Sequence, residues 1–197
     1  MSSNSILLIV LAAIVVVVLV IALVKYRQQQ AMRHRRLRER FGPEYDRLVT
    51  VTGSASKAER ELEARERRAA LFKIRTLSHE ERERFLIRWQ QVQAEFVDNP
   101  KSSLGHADDL LGQVMDARGY PVQDFEQRSA DLSVDHPVIV QHYHAAHGIA
   151  LSHKTGETTT GDLRQAMIHY RALFEELVSD ASPSSAPILA NVPHAAE

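Results

Sequence analysis

The chain contains no cysteine, which excludes disulfide staples, thiolate metal sites and cysteine nucleophiles. Glycine is sparse, with eight residues scattered singly among 197, so a Gly-rich loop that cradles phosphate is also missing. No Walker A loop, dinucleotide fingerprint, HExxH, GxSxG or EF-hand loop occurs. With no catalytic motif present, no enzymatic activity and no cofactor are expected. The first 24 residues lack any ionisable side chain, and the N-terminal flank MSSNS carries no Lys or Arg. No strand pattern competes with helical periodicity after residue 40.

What is present begins with residues 6–24, ILLIVLAAIVVVVLVIALV, 19 apolar residues in succession. As a helix rising about 1.5 Å per residue the run covers roughly 28 Å, one crossing of a bilayer's hydrocarbon. Its Val and Ile content would suit a strand, but strands rarely exceed about 10 residues, and hydrocarbon demands internally paired backbone. The run is too long for the core of a cleaved signal peptide. It also leads straight into Lys25-Tyr26-Arg27 with no suitable cleavage site. An uncleaved transmembrane anchor is therefore expected.

The overall balance of 24 Lys+Arg against 25 Asp+Glu conceals strong segregation. Residues 25–40 carry a net +6, from Lys25, Arg27, Arg33, Arg35, Arg36, Arg38 and Arg40 against Glu39, whereas residues 41–197 carry −7. Basic residues on one flank of a span mark its cytoplasmic side. The expected topology is single-pass in a bacterial inner membrane, with the N-terminus outside and the C-terminal domain cytoplasmic. A periplasmic or secreted domain is the alternative. The seven basic residues are candidate membrane-surface groups that set topology and can contact anionic lipid headgroups. A nucleic-acid partner is not expected, because the basic run lacks interleaved aromatics for base stacking.

Beyond the basic segment, Phe41-Gly42-Pro43 breaks the helix and Pro43 can open the next one. Residues 56–75 read as a charged helix, with Glu61/Arg65 and Glu63/Arg67 as supporting pairs. Its apolar stripe, Ala58, Leu62, Ala69 and Phe72, is a heptad interrupted by Arg65. That pattern fits a short coiled coil, and hence a possible homo-oligomer, or a solvated helix on the edge of a bundle.

Ser78-His79-Glu80-Glu81 is a capping box ahead of Phe85, Trp89, Val92 and Phe96, a bulky core stripe. Leu104, Ala107, Leu111 and Val114 define the next helix, closed near Gly119. A short helix is expected from Tyr120-Pro121 to about Ala130. Another is expected from Asp135-His136-Pro137 to about Ser152, and a last one is capped by Thr159 and carries Leu163, Ala166, Tyr170, Leu173, Phe174 and Leu177.

The expected fold class is therefore all-α: an N-terminal transmembrane helix, a basic juxtamembrane helix, and a bundle of about five helices. The corresponding divisions are an extracytoplasmic N-terminus (1–5), the span (6–24), the basic segment (25–40), charged connecting helices (41–77), the soluble bundle (78–178) and a disordered tail (179–197).

Arg40-Phe41-Gly42-Pro43-Glu44-Tyr45-Asp46, Arg118-Gly119-Tyr120-Pro121-Val122 with Asp124-Phe125-Glu126, Ala130-Asp131-Leu132-Ser133-Val134, and Asp162-Leu163-Arg164-Gln165-Ala166 with His169-Tyr170-Arg171 form ordered blocks. Over about residues 33–178 the chain resembles an uncharacterised bacterial family of membrane-anchored helical proteins. The resemblance implies a bacterial source and an anchor-plus-domain layout. That family has no assigned activity, so no catalytic residue carries over, and His142-Tyr143-His144 departs from its pattern.

Five of the ten histidines, His136, His142, His144, His147 and His153, fall within 18 residues. Imidazoles at that density suggest a metal site, making a membrane-anchored metal-binding protein or enzyme the alternative function. At about 100° per residue His144 and His147 lie about 60° apart and share a helical face, whereas His142 is about 140° from His147, so His144 and His147 are the weak metal candidates; His136 falls on one stripe with Val140, Tyr143 and His147, and hydrogen-bonded structural histidines are the main expectation. The adjacent carboxylates Glu80-Glu81, Asp108-Asp109 and Glu175-Glu176 diverge on a helix and are read as solvated. Asp124, Glu126, Arg128, Asp131 and Asp135 form a polar block suited to capping and ion pairing. The principal functional expectation is a tether or protein-interaction module, with the lipid bilayer and an unidentified protein as partners.

Overall fold

The computed structural model describes the backbone of residues 3–121, 123–154 and 158–179, and the side chains of these except residues 3–10, 12–15, 153 and 154. The described residues form eight helices and no strand: α1 Ser3–Phe41, α2 Pro43–Thr52, α3 Ala55–Ala69, α4 His79–Asp98, α5 Pro100–Arg118, α6 Phe125–Asp135, α7 Val140–Lys154 and α8 Thr160–Val178. The all-α expectation is met. Among the described residues no helix is long and apolar enough to cross a membrane. Nine side chains of the apolar run, at residues 6–10 and 12–15, lie outside that description, as do residues 180–197 of the expected tail and residues 1 and 2 of the N-terminus.

Helix α1 runs unbroken for 39 residues, through the apolar run and the basic segment alike. It stops at Gly42, whose φ of +48° is left-handed, and Pro43 starts α2 without losing a hydrogen bond that a first-turn residue would make. The last turns of α1 are part of the folded body. Leu37 and Phe41 are fully buried with Tyr45 and Leu48 of α2, Ala58 and Leu62 of α3, and Val134 of α6. The Ala58/Leu62 stripe read as a coiled-coil seam is thus satisfied within one chain, and residues 41–69 have a small core of their own.

The expected helix over 56–75 ends early, at Ala69. Its continuation is drawn across the end of α5, where the Arg75 amide donates to the Arg118 carbonyl at 2.8 Å. Phe72, Ile74 and Leu77 then pack on the larger core. Gly119 makes that crossing possible: it has φ +95°, and a Cβ there would lie 2.5 Å from the Lys73 carbonyl oxygen.

Helix α4 starts as its capping box requires, with the Glu81 amide donating to Ser78 Oγ and the Ser78 amide to Glu81 Oε2. Trp89 stacks on Phe174 at 4.6 Å between ring centroids. Thr159 and Asp162 cap α8 in the same reciprocal way. The expected start of α6 at Tyr120-Pro121 is shifted to Phe125, because Asp124 Oδ1 accepts from the Gln127 amide and acts as the N-cap. Asp135, expected to cap the following helix, instead ends α6, and its carboxylate accepts from the Tyr120 hydroxyl. Helices α4, α5, α7 and α8 enclose the larger core, with α7 packed on α8 and α5 on both α4 and α8.

Two glycine substitutions with opposite expected signs test this arrangement. Gly119→Ala should lower unfolding free energy by more than about 1 kcal/mol, since both φ and the Lys73 contact oppose a side chain. Gly105→Ala, inside α5 with open space around the added atom, should raise it by up to about 1 kcal/mol. Urea unfolding of both variants reads out the difference.

Candidate functional site

Four of the seven basic residues assigned to the membrane surface are held by the protein itself. Arg33 Nε lies 2.7 Å from Glu63 and 3.7 Å from Glu59, Arg36 pairs with Glu66 at 2.9 Å, Arg40 with Glu66 at 3.0 Å, and Arg38 with Asp46 at 3.6 Å. His34 Nδ1 adds a 3.1 Å contact to Glu59, which also accepts from the Tyr45 hydroxyl. Lys25, Arg27 and Arg35 are exposed, with no ion pair among the described residues. Single exposed pairs contribute about 0–1 kcal/mol each. As a connected ladder on one helix, the Arg33, Arg36 and Arg40 pairs fix α1 against α3, and Arg38–Asp46 ties it to α2. Glu63, expected to pair with Arg67, serves Arg33 instead.

Deeper in the same body lies a buried ionic centre that the sequence reading missed. Glu44 is fully buried. Arg47 grips its two oxygens through Nε and Nη2, both at 2.7 Å, while Arg65 Nη1 donates at 2.9 Å and Gln141 Nε2 at 3.2 Å. His144 Nε2 stands 3.6 Å away. Arg65 also donates to Ser133 Oγ and pairs with Glu61, so the cluster joins α2, α3, α6 and α7. The available signal was Arg65 itself, a charge at a heptad core position. Burial alone would raise the Glu44 carboxyl, but Arg47, His144 and Arg65 outweigh it and hold the group far below the ordinary carboxylate range.

The histidines do not converge. His136 Nδ1 contacts Glu176 at 3.0 Å, His144 faces Glu44, and His147 lies flat on Phe125 with centroids 3.5 Å apart. His142 leaves the group and meets His169 of α8, Nδ1 to Nδ1 at 2.9 Å. The side chain of His153 is outside the described residues. Among the described residues no group of three or more His, Asp or Glu is placed to hold a metal; the two weak metal candidates, His144 and His147, both pack on Phe125, edge-on at 5.6 Å and stacked at 3.5 Å between centroids.

Asp108, read as solvated, accepts from Arg128 Nη2 at 2.8 Å and from the Tyr143 hydroxyl at 3.0 Å. It forms one wall of a cleft of about 270 Å³ between α5, α7 and α8, with Leu104, Asp109, His147, Leu151 and Tyr170 around it. Burial raises the Tyr143 and Tyr170 hydroxyls above the usual phenol value, so both stay protonated at neutral pH. The polar block is used for capping and pairing. Asp124 caps α6, and Asp131, 1% exposed, holds Arg68 and Gln127. A second recess, about 320 Å³ between α4 and α8, has Phe96, Met167 and Ile168 as its apolar surface and Arg164 and Arg171 at its edge.

Compared with known protein families, curated proteins and solved structures, the chain matches none. The site is therefore read from its own geometry.

The Glu44 centre predicts a specific pH dependence. A carboxyl whose folded pKa is depressed contributes stability above its unfolded value, about 4.3, and loses it as pH falls toward the folded value. Unfolding free energy should therefore drop steeply below about pH 4.5. In Glu44→Gln that acid limb should be shallower, and at pH 7 the variant should be about 3 kcal/mol less stable, because Arg65 is left buried without its principal counter-charge. Urea unfolding of both chains across pH 2–7 checks both statements.

Proposed function

We propose that the chain is a membrane tether: residues 6–24 anchor it in a bacterial inner membrane, N-terminus outside, and α2–α8 form a cytoplasmic module that holds a protein partner near the bilayer. The observation that carries this reading is α1, one continuous helix whose apolar run leads into turns built into the domain core. The described side chains of the run, Leu11 and residues 16–24, are exposed all round the helix. A helix that is apolar in sequence over 19 successive residues, with its described side chains exposed, suits hydrocarbon. Leu37 lies thirteen positions beyond Val24, a stand-off of roughly 20 Å at helical rise. Lys25, Arg27 and Arg35 remain available to anionic headgroups.

The α4–α8 recess is the partner-facing part of this proposal. Ile168 is half exposed beside Phe96 and Met167, and Arg164 and Arg171 flank them. That pattern fits an amphipathic protein segment carrying carboxylates beside its apolar residues.

Fractionation tests the anchor. The full chain should sediment with membranes and resist carbonate extraction, whereas a chain lacking residues 6–24 should be released. External protease on intact spheroplasts should leave the helical domain undigested; digestion without lysis would overturn the orientation in favour of a periplasmic domain. Crosslinking in intact membranes should recover a stoichiometric protein partner, with several-fold less from Arg164→Glu/Arg171→Glu. Recovery of none, together with substrate turnover by the purified protein, would end the tether reading.

A further inference from the structure

The histidine pair between α7 and α8 stands apart from the anchor and from the partner-facing recess. His142 and His169 are both half-buried, their Nδ1 atoms are 2.9 Å apart, and their rings are tilted by 51° with centroids at 5.1 Å. In a direct Nδ1 to Nδ1 hydrogen bond one ring donates its Nδ1 hydrogen and the other accepts through an unprotonated Nδ1. An ion bound to both nitrogens uses that lone pair and takes the place of the shared hydrogen.

The donors decide which ions such a pair would take. Neutral imidazole nitrogen suits Cu2+, Ni2+ and Zn2+, and of these a given nitrogen site holds Cu2+ most tightly.

Gln165, one turn before His169 on α8, places its amide nitrogen 3.3 Å from His169 Nε2. With the amide turned over, its oxygen accepts the Nε2 hydrogen and directs the Nδ1 lone pair toward His142, the role outer partners play at metal-bound imidazoles.

We propose that His142 and His169 form a divalent metal site of the Cu2+ or Ni2+ type, in which the ion bridges α7 and α8 through the two Nδ1 atoms and keeps water in its remaining positions. Helix α7 carries two Glu44 neighbours, Gln141 and His144, so an ion bridging it to α8 would also brace the side of the ionic centre facing α7.

The test is titration of the full chain in detergent with CuCl2 or NiCl2, followed by calorimetry and, for copper, electron paramagnetic resonance. Wild type should bind one equivalent, with nitrogen hyperfine structure from two imidazoles and a rise in thermal midpoint. His142→Ala and His169→Ala should each bind at least tenfold more weakly and lose the two-nitrogen signature, with circular dichroism confirming that each remains folded. Gln165→Leu should weaken binding by a smaller factor, while His144→Ala and His147→Ala should leave it unchanged. Absence of a stoichiometric site in wild type would overturn the proposal. So would binding that survives unchanged in folded His142→Ala and His169→Ala, since the metal would then be held adventitiously by other histidines.

Discussion

The Glu44 carboxylate is the point on which the smaller half of the molecule is assembled. Removing a carboxylate from water costs several kcal/mol, and the cost is recovered only when the cation geometry is good and the remaining lone pairs are filled. Here the bidentate Arg47, the Arg65 donor and Gln141 fill them. These donors arrive from α2, α3 and α7, so the charge is satisfied only when all three helices are in place. The small apolar core of Leu37, Phe41, Tyr45, Leu48, Ala58, Leu62 and Val134 is modest. A buried ion requiring specific partners gives that core a unique arrangement that seven apolar side chains would not impose.

That centre explains why the stalk helix and the domain behave as one body. Phe41 precedes the Gly42-Pro43 break, and Glu44 follows it by one residue, so the network sits directly under the joint between α1 and α2. The arginine ladder from Arg33 to Arg40 then holds α1 along α3 from outside. A flexible linker would let α1 sample many directions relative to the domain, whereas a helix clamped at its end has one direction relative to α2 and α3.

Much of this fold was legible because the relevant signals are local. The capping boxes at Ser78 and Thr159, the Gly42-Pro43 break and the stripes of α4, α5 and α8 each follow from residues a turn or two apart. The misplaced boundaries have tertiary causes. Helix α3 stops at Ala69 because residues 72–77 are wanted on the larger core. Asp135 ends a helix instead of starting one because the Tyr120 hydroxyl claims its carboxylate. The polar centres were hidden for the same reason. Glu44 and Arg65 are 21 residues apart and Asp108 and Tyr143 are 35 apart, so periodicity carries no trace of either contact. The histidine cluster disperses for the same reason: sequence proximity groups five side chains, whereas His142 finds its partner 27 positions away on α8.

The charge split takes on a different meaning once these contacts are known. A +6 segment followed by a −7 remainder suggests a basic collar for lipid and an acidic domain for a partner. Yet Arg33, Arg36, Arg38 and Arg40 spend their charge on Glu59, Glu63, Glu66 and Asp46, so a large part of the two excesses cancels inside the fold. Arg33, Arg36 and Arg40 thereby tie α1 to α3, and Arg38 ties it to α2. Part of the acidity that the sequence advertises is thus spent inside the fold. The apolar surface left exposed at Ile168 lies instead between Arg164 and Arg171, so the charge complementary to that recess is negative.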